Sequence, residues 1–107
     1  MEPIQLTARE KIESIIAANP VVLFMKGSPK FPQCGFSAAA VKMLTDAGGC
    51  DFLHVNVLED AQIREGIKTY SSWPTIPQLY IKQQFVGGAD IMRELHEAGD
   101  LSRLINE

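Results

Sequence analysis

Five consecutive apolar residues, Val21 to Met25, restrict the fold of this chain more than any other segment. A strand that is apolar along its whole length is typical of a sheet covered on both faces, because a face that meets water carries alternating polar residues. Helical periodicity precedes this run at Ile12, Ile15 and Ile16 and follows it over 35–47. The pattern therefore predicts a central strand between layers of helices.

Capping and turn signals set the order of the other elements. Thr7 and Glu10 have the capping-box spacing of a helix start. Lys82-Gln83 separates two apolar segments as a hairpin turn does, and Asp90 is the predicted N-cap of a later helix. The predicted order is helix, strand, helix, strand, helix, two strands, helix, helix. Because a β-α-β unit has parallel strands and the hairpin adds antiparallel ones, we expect a mixed α/β sheet.

Length and charge limit the classes of function. The 107 residues correspond to one domain, 1–107, and 46% hydrophobic with 21% charged residues is typical of globular proteins. Thirteen acidic against ten basic side chains give a net charge of −3, which argues against nucleic acid as the main partner. The sequence shows neither a membrane-spanning run nor a targeting pattern, so we expect no membrane contact and a cytoplasmic location. An organelle matrix stays open if a transit peptide has been removed.

Cys34 stands where a loop rich in proline and lysine meets the second predicted helix. The positive end of a helix dipole favours a thiolate, and Lys26 adds a positive charge if the loop folds back. Redox chemistry and metal ligation both need such a partly exposed thiolate. The alternative is a buried structural cysteine, which the position in a loop at a helix start argues against.

The position of a second thiol decides between dithiol and monothiol chemistry. A dithiol oxidoreductase needs a cysteine three residues after the first, and Ser37 occupies that place. A hydroxyl cannot attack a disulfide at neutral pH. Cys50 lies beyond a predicted helix roughly 20 Å long, so we interpret it as a surface or core thiol and not as a partner of Cys34.

Four sequence blocks together resemble the monothiol glutaredoxins of the single-domain class. The blocks are Cys34-Gly35-Phe36-Ser37, Met25 to Pro29, Trp73 to Gln78, and Gly87-Gly88 with Asp90. They occur in the family order, and the resemblance extends from about Ile12 to Ile105. It implies a thioredoxin-like fold with a four-stranded mixed sheet and about five helices.

The resemblance also implies a glutathione site beside Cys34, Gly35 and Phe36. Thr75, Ile76 and Pro77 correspond to the family's cis-proline turn, which would present the Ile76 main chain to the cysteinyl part of glutathione. Lys26 and Arg64 match the basic positions for the glycine carboxylate. Their alternative role is that of solvated surface charges.

The third part of the implied site is the start of a late helix. Gly88, Ala89 and Asp90 match the segment that holds the γ-glutamyl end, where helix amides take its carboxylate and Asp90 pairs with its ammonium. Asp90 has an alternative role as a plain N-cap. Related chains generally have Cys or Ser at Ala89, so a disulfide or side-chain role at this position is absent here, while a main-chain contact is retained.

The implied function is that of an iron–sulfur carrier. A 2Fe–2S cluster needs four ligands, and one Cys34 with one glutathione supplies two, so a homodimer with two glutathiones completes the set. The implied partners are a BolA-like protein, an assembly scaffold and apo iron–sulfur proteins. The alternative is a glutathione-dependent oxidoreductase that uses Cys34 as a catalytic nucleophile on glutathionylated proteins. For a monothiol chain, the resemblance implies weak enzymatic activity at most.

Overall fold

A computed structural model describes residues 6–49 and 51–107 of the chain. Its elements are α1 (Ala8–Ala18), β1 (Val21–Met25), α2 (Gly35–Asp46), β2 (Leu53–Asn56), a 3-10 turn (Val57–Glu59), α3 (Ala61–Ser71), β3 (Gln78–Ile81), β4 (Gln84–Gly87), α4 (Ala89–Glu97) and α5 (Asp100–Asn106). In this part of the chain no helix has the length and apolar character needed to cross a membrane. Cys50, and with it the prediction of a bystander thiol, lies outside the described residues.

The four strands form one mixed sheet in the order β2-β1-β3-β4. β1 pairs in parallel with β2 and antiparallel with β3, so that Phe24 lies between Val55 on one side and Gln78 on the other. β4 completes the antiparallel hairpin with β3. The predicted mixed sheet and the predicted order of elements are confirmed.

Alternate residues of β1 enter two separate hydrophobic clusters. Leu23 and Met25 pack on the side of α2, α4 and α5, while Val22 and Phe24 pack on the side of α1 and α3. All five residues of β1 are buried. The prediction from the continuous apolar run is therefore confirmed, because helices cover both faces of the central strand.

Local signals place most boundaries correctly. The Thr7 hydroxyl accepts a hydrogen bond from the Glu10 amide at 3.1 Å, and the Glu10 carboxylate accepts one from the Thr7 amide at 3.1 Å. β2 ends at Asn56. The Asn56 side chain accepts a hydrogen bond from the Leu58 amide and turns the chain into the 3-10 turn.

Candidate active-site cleft

Cys34 is the N-cap of α2 and is partly exposed. Burial of the sulfur raises the pKa of Cys34, but the N–H and O–H groups of Ser37, the N–H of Phe36 and the Lys26 charge outweigh it, so that the pKa lies below its ordinary value. The Cys34 side chain makes no capping hydrogen bond to α2, and the dipole of the helix also favours the thiolate at this position. The site thus favours the reactive thiolate, as the sequence predicts.

The loop before Cys34 folds back onto the end of β1. The Gln33 amide donates to the Lys26 carbonyl at 2.9 Å, and Gly27 forms a bridge with Pro32. Gly27 has a φ of 90°, and a Cβ there would lie 2.4 Å from the Phe31 carbonyl oxygen, so this reversal requires glycine. It brings the Lys26 charge to the thiol.

Ser37 replaces the second thiol with a buried hydroxyl. Its side chain is 0% exposed, and its Oγ accepts a hydrogen bond from the Lys26 amide at 3.0 Å. With the oxygen used as acceptor, the hydroxyl proton is free to point at the Cys34 sulfur. Ser37 therefore links α2, Lys26 and the thiol in one contact network.

A cleft of about 380 Å³ opens beside Cys34. The sequence assigned eleven residues to a glutathione site, and ten of them line this cleft: Lys26, Cys34, Phe36, Arg64, Thr75, Ile76, Pro77, Gly88, Ala89 and Asp90. Gly35 is not among the lining residues. The structure thus brings together in one place the segments at residues 26–36, 64, 75–77 and 88–90, which are far apart in the chain.

Residues Trp73 to Pro77 form one side of the cleft, between α3 and β3. The Ile76-Pro77 peptide bond is cis, as the resemblance implies. Gly88 lies directly against this segment, because a Cβ on Gly88 would be 3.2 Å from the Trp73 Nε1 and 3.3 Å from the Pro77 carbonyl oxygen. Glycine at position 88 thus permits the close approach of the two sides of the cleft.

The predicted N-cap role of Asp90 is wrong. α4 begins at Ala89, its N-cap is Gly88, and Asp90 is the second helical residue. An acidic residue in the first turn is also favoured by the helix dipole, so in the sequence it has the same signature as an N-cap. With its capping role removed, the exposed Asp90 side chain lines the cleft.

Four further residues line the cleft that the sequence did not assign to the site: Lys68, Trp73, Pro74 and Ile91. Lys68 lies on α3 four residues after Arg64, one helical turn away, so the same face of the helix carries both charges. That spacing was the signal available for finding it. Lys26, Arg64 and Lys68 give the cleft three cations, whereas Asp90 is its single acidic side chain.

Cys34 is the one cysteine among the residues that line the cleft. Over residues 6–49 and 51–107, no group of three or more His, Cys, Asp or Glu side chains is arranged to hold a metal ion. His54 is exposed on the edge strand β2 and belongs to no such group. The low pKa and partial exposure of Cys34 fit a thiolate ligand whose other partners come from outside the chain.

Comparisons with known proteins agree with this arrangement. Residues 21–86 match the glutaredoxin family. The chain is 52% identical over 101 residues to monothiol glutaredoxin-5, mitochondrial, of Lachancea kluyveri, and the match covers 92% of this chain and 71% of that protein. It is 48% identical to glutaredoxin 4 of Escherichia coli K12, with 94% and 87% covered.

A solved structure gives the same result for the fold. The solution structure of reduced poplar apo GrxS14 superposes with a TM-score of 0.78 at 44% identity, covering 91% of this chain and 88% of that one. The expected thioredoxin-like architecture is therefore confirmed.

Proposed function

The chain belongs to the glutaredoxin family and to its monothiol class, and from this premise we propose that it carries a labile 2Fe–2S cluster held between two copies of the chain and two glutathiones. The observation that carries the proposal is a low-pKa thiol at the edge of a cationic cleft, with a buried hydroxyl where a second thiol would stand. The cluster is cargo, received from a scaffold and passed to apo-proteins.

The charged residues that line the cleft match the charged groups of glutathione. Its glycine carboxylate would lie among Lys26, Arg64 and Lys68, which line the cleft. Its γ-glutamyl carboxylate would meet the first amides of α4, and its ammonium would meet Asp90. The antiparallel pairing of β3 with β1 ends at Gln78, so Ile76 lies beyond the ladder, where a ligand main chain can pair with it.

Counting ligands leads to the dimer. A 2Fe–2S cluster is held by four ligands, and each copy would supply the Cys34 thiolate together with one glutathione thiolate. Two exchangeable small-molecule ligands make such a cluster easy to release, which suits transfer better than permanent electron transport. A BolA-like protein is the second partner we propose, in place of one copy of the chain.

The alternative function is the removal of glutathione from glutathionylated proteins. The Cys34 thiolate would attack the glutathione sulfur of a mixed disulfide, form a Cys34–glutathione disulfide and release the protein thiolate. A second glutathione thiolate would then attack that disulfide, giving oxidised glutathione and regenerating Cys34. The lowered pKa of Cys34 favours this reaction as well, so it stays as the second candidate.

The compartment is part of the proposal. The relative from Lachancea kluyveri is named mitochondrial and the Escherichia coli relative is bacterial. These relatives accord with an organelle matrix as well as with the cytoplasm predicted from the sequence.

Anaerobic reconstitution with iron, sulfide and glutathione tests the carrier function. We expect a visible sulfur-to-iron charge-transfer spectrum on a dimer in size-exclusion chromatography, and its absence when glutathione is omitted. A colourless monomer that reduces a glutathione mixed disulfide would contradict the carrier function and favour the alternative.

Two cysteine variants assign the ligand. Cys34→Ser should abolish the visible spectrum and leave far-UV circular dichroism unchanged, because it removes the proposed protein ligand. Cys50→Ser is the matched control and should keep the spectrum. A spectrum retained in Cys34→Ser, or lost in Cys50→Ser, would refute the assignment of the ligand.

A further inference from the structure

A wholly buried amide side chain lies behind the Trp73–Pro77 side of the cleft. Gln78 is 0% exposed, and its Nε2 donates to the main-chain carbonyl oxygen of Trp73 at 3.1 Å and to that of Thr75 at 3.2 Å. Its Oε1 faces the Tyr80 hydroxyl at 3.5 Å. An amide nitrogen has two hydrogens to donate, and here both are used within one turn of the chain.

The orientation of this amide is fixed by its partners. Rotating the amide by half a turn would place Oε1 against two carbonyl oxygens, which repel it, so the donors must face the turn. Gln78 is also anchored through its main chain, because it pairs with Phe24 in the sheet. The amide therefore transmits the position of the sheet to the Trp73–Pro77 segment.

The other end of the segment is anchored independently. The Trp73 amide donates to the Lys68 carbonyl at 3.1 Å and to the Ser71 hydroxyl at 3.1 Å, at the end of α3. These bonds fix the Trp73 nitrogen, and Gln78 fixes its carbonyl. The indole then lies against Gly88, where the two sides of the cleft meet.

Burying an amide among apolar residues carries a free-energy cost that an aliphatic side chain would avoid. Gln78 borders the cluster that contains Ile76 and Tyr80, so an apolar residue would satisfy packing there. The hydrogen bonds turn the carbonyl oxygens of Trp73 and Thr75 towards the protein. Left facing the cleft, these oxygens would repel an anionic ligand.

We propose that Gln78 is a positioning residue of the cleft, which holds the Trp73–Pro77 segment at the spacing from Gly88 that admits an anionic tripeptide ligand. The ligand class rests on the proposed function. The position of the segment itself does not, and it can be measured without any ligand.

Trp73 reports on both quantities, because it is the single tryptophan of the chain. Acrylamide quenching of its fluorescence measures the exposure of the indole in the free protein, and titration with reduced glutathione measures binding. The test variant is Gln78→Met, which preserves the length of the side chain and removes both donors. The matched control is Gln84→Met, at an exposed glutamine of β4.

In Gln78→Met we expect the quenching constant of Trp73 to rise about two-fold and the affinity for glutathione to fall about ten-fold, as for a site displaced by a fraction of an ångström. Gln84→Met should match the unchanged protein in both measurements. If Gln78→Met does not fold, Gln78→Leu removes both donors with a smaller side chain and buries no charge.

The possible results separate the two proposals. Quenching that stays unchanged in a folded Gln78 variant, or the failure of both variants to fold, overturns the positioning role and makes Gln78 a structural residue. An unchanged protein that does not respond to glutathione refutes the proposed ligand. Raised quenching in Gln78→Met would in that case still support the positioning of the segment.

Discussion

Replacing Ser37 with alanine tests how the start of α2 is attached to the sheet. The buried Ser37 Oγ accepts the Lys26 amide at 3.0 Å, eleven positions apart in the chain. Ser37→Ala leaves that partly buried N–H without its partner, which costs about 1–2 kcal/mol. For a domain of this size such a loss lowers the Tm by about 4–12 °C. Denaturant and thermal unfolding of the reduced apo-protein, followed by circular dichroism, measure both quantities.

A matched variant removes the contribution of helix propensity. Ser14 is exposed on α1, so Ser14→Ala has the same intrinsic change in helix preference without the loss of a buried contact. We expect Ser14→Ala to change the free energy of unfolding by less than about 0.5 kcal/mol. If the two variants agree within about 0.3 kcal/mol, the hydrogen bond from Lys26 to Ser37 does not stabilise the fold and the reasoning is refuted.

Two further changes test the sheet and its connection to α4. Burial raises the pKa of Tyr80 to about 12, with a further contribution from Tyr70 and an opposing one from Ser71. The unfolded chain loses this proton near pH 10 and the folded chain near pH 12, so the free energy of unfolding should fall by roughly 2 kcal/mol between these pH values. Urea unfolding at each pH measures this fall, which should be smaller in Tyr80→Phe. Equal pH dependence in both proteins would contradict the raised pKa of Tyr80. Gly87→Ala should lower the free energy of unfolding by roughly 2–3 kcal/mol in the same assay, because φ is +148° and the added Cβ would lie 2.7 Å from the Ile91 Cβ. Gly35→Ala is the control and should not destabilise the fold, because a Cβ at Gly35 would meet nothing within 4 Å.

Local patterns predicted the fold well because the ends of the helices and strands in this chain are determined by neighbouring residues. The capping box at Thr7 and the two-residue turn at Lys82-Gln83 are each determined by neighbouring residues, and both occur in the structure. The order of the strands in the sheet, β2-β1-β3-β4, is less local and was not predicted, whereas the apolar run at Val21–Met25 indicated only that its strand is covered on both faces. Asp90 shows the limit, because a first-turn acid and an N-cap have the same sequence signature.

The site was predictable where it follows known motifs and unpredictable where it depends on tertiary contacts. Cys34 and the residues of the cis-proline turn came from recognisable blocks. Gln78 stood within one of those blocks, but its role depends on a side chain that turns back under the preceding segment, which no periodicity records. Ser37 could be identified as a missing thiol, whereas its contact with Lys26 depends on the folding back of the loop.

Charge shows why global composition and local chemistry must be considered separately. The chain carries a net charge of −3, which argues against a phosphate-rich polymer as its main partner. The cleft has the opposite character, since three of the ten basic side chains line it against one of the thirteen acidic ones. A cleft lined by three cations and by the N-terminus of a helix concentrates positive potential near the thiol. That potential stabilises the Cys34 thiolate and attracts a small anion, so carrier and oxidoreductase chemistry share one electrostatic basis. Both need one thiol from the chain, which in the described residues is Cys34, so the spectrum obtained on reconstitution separates them and the number of thiols does not.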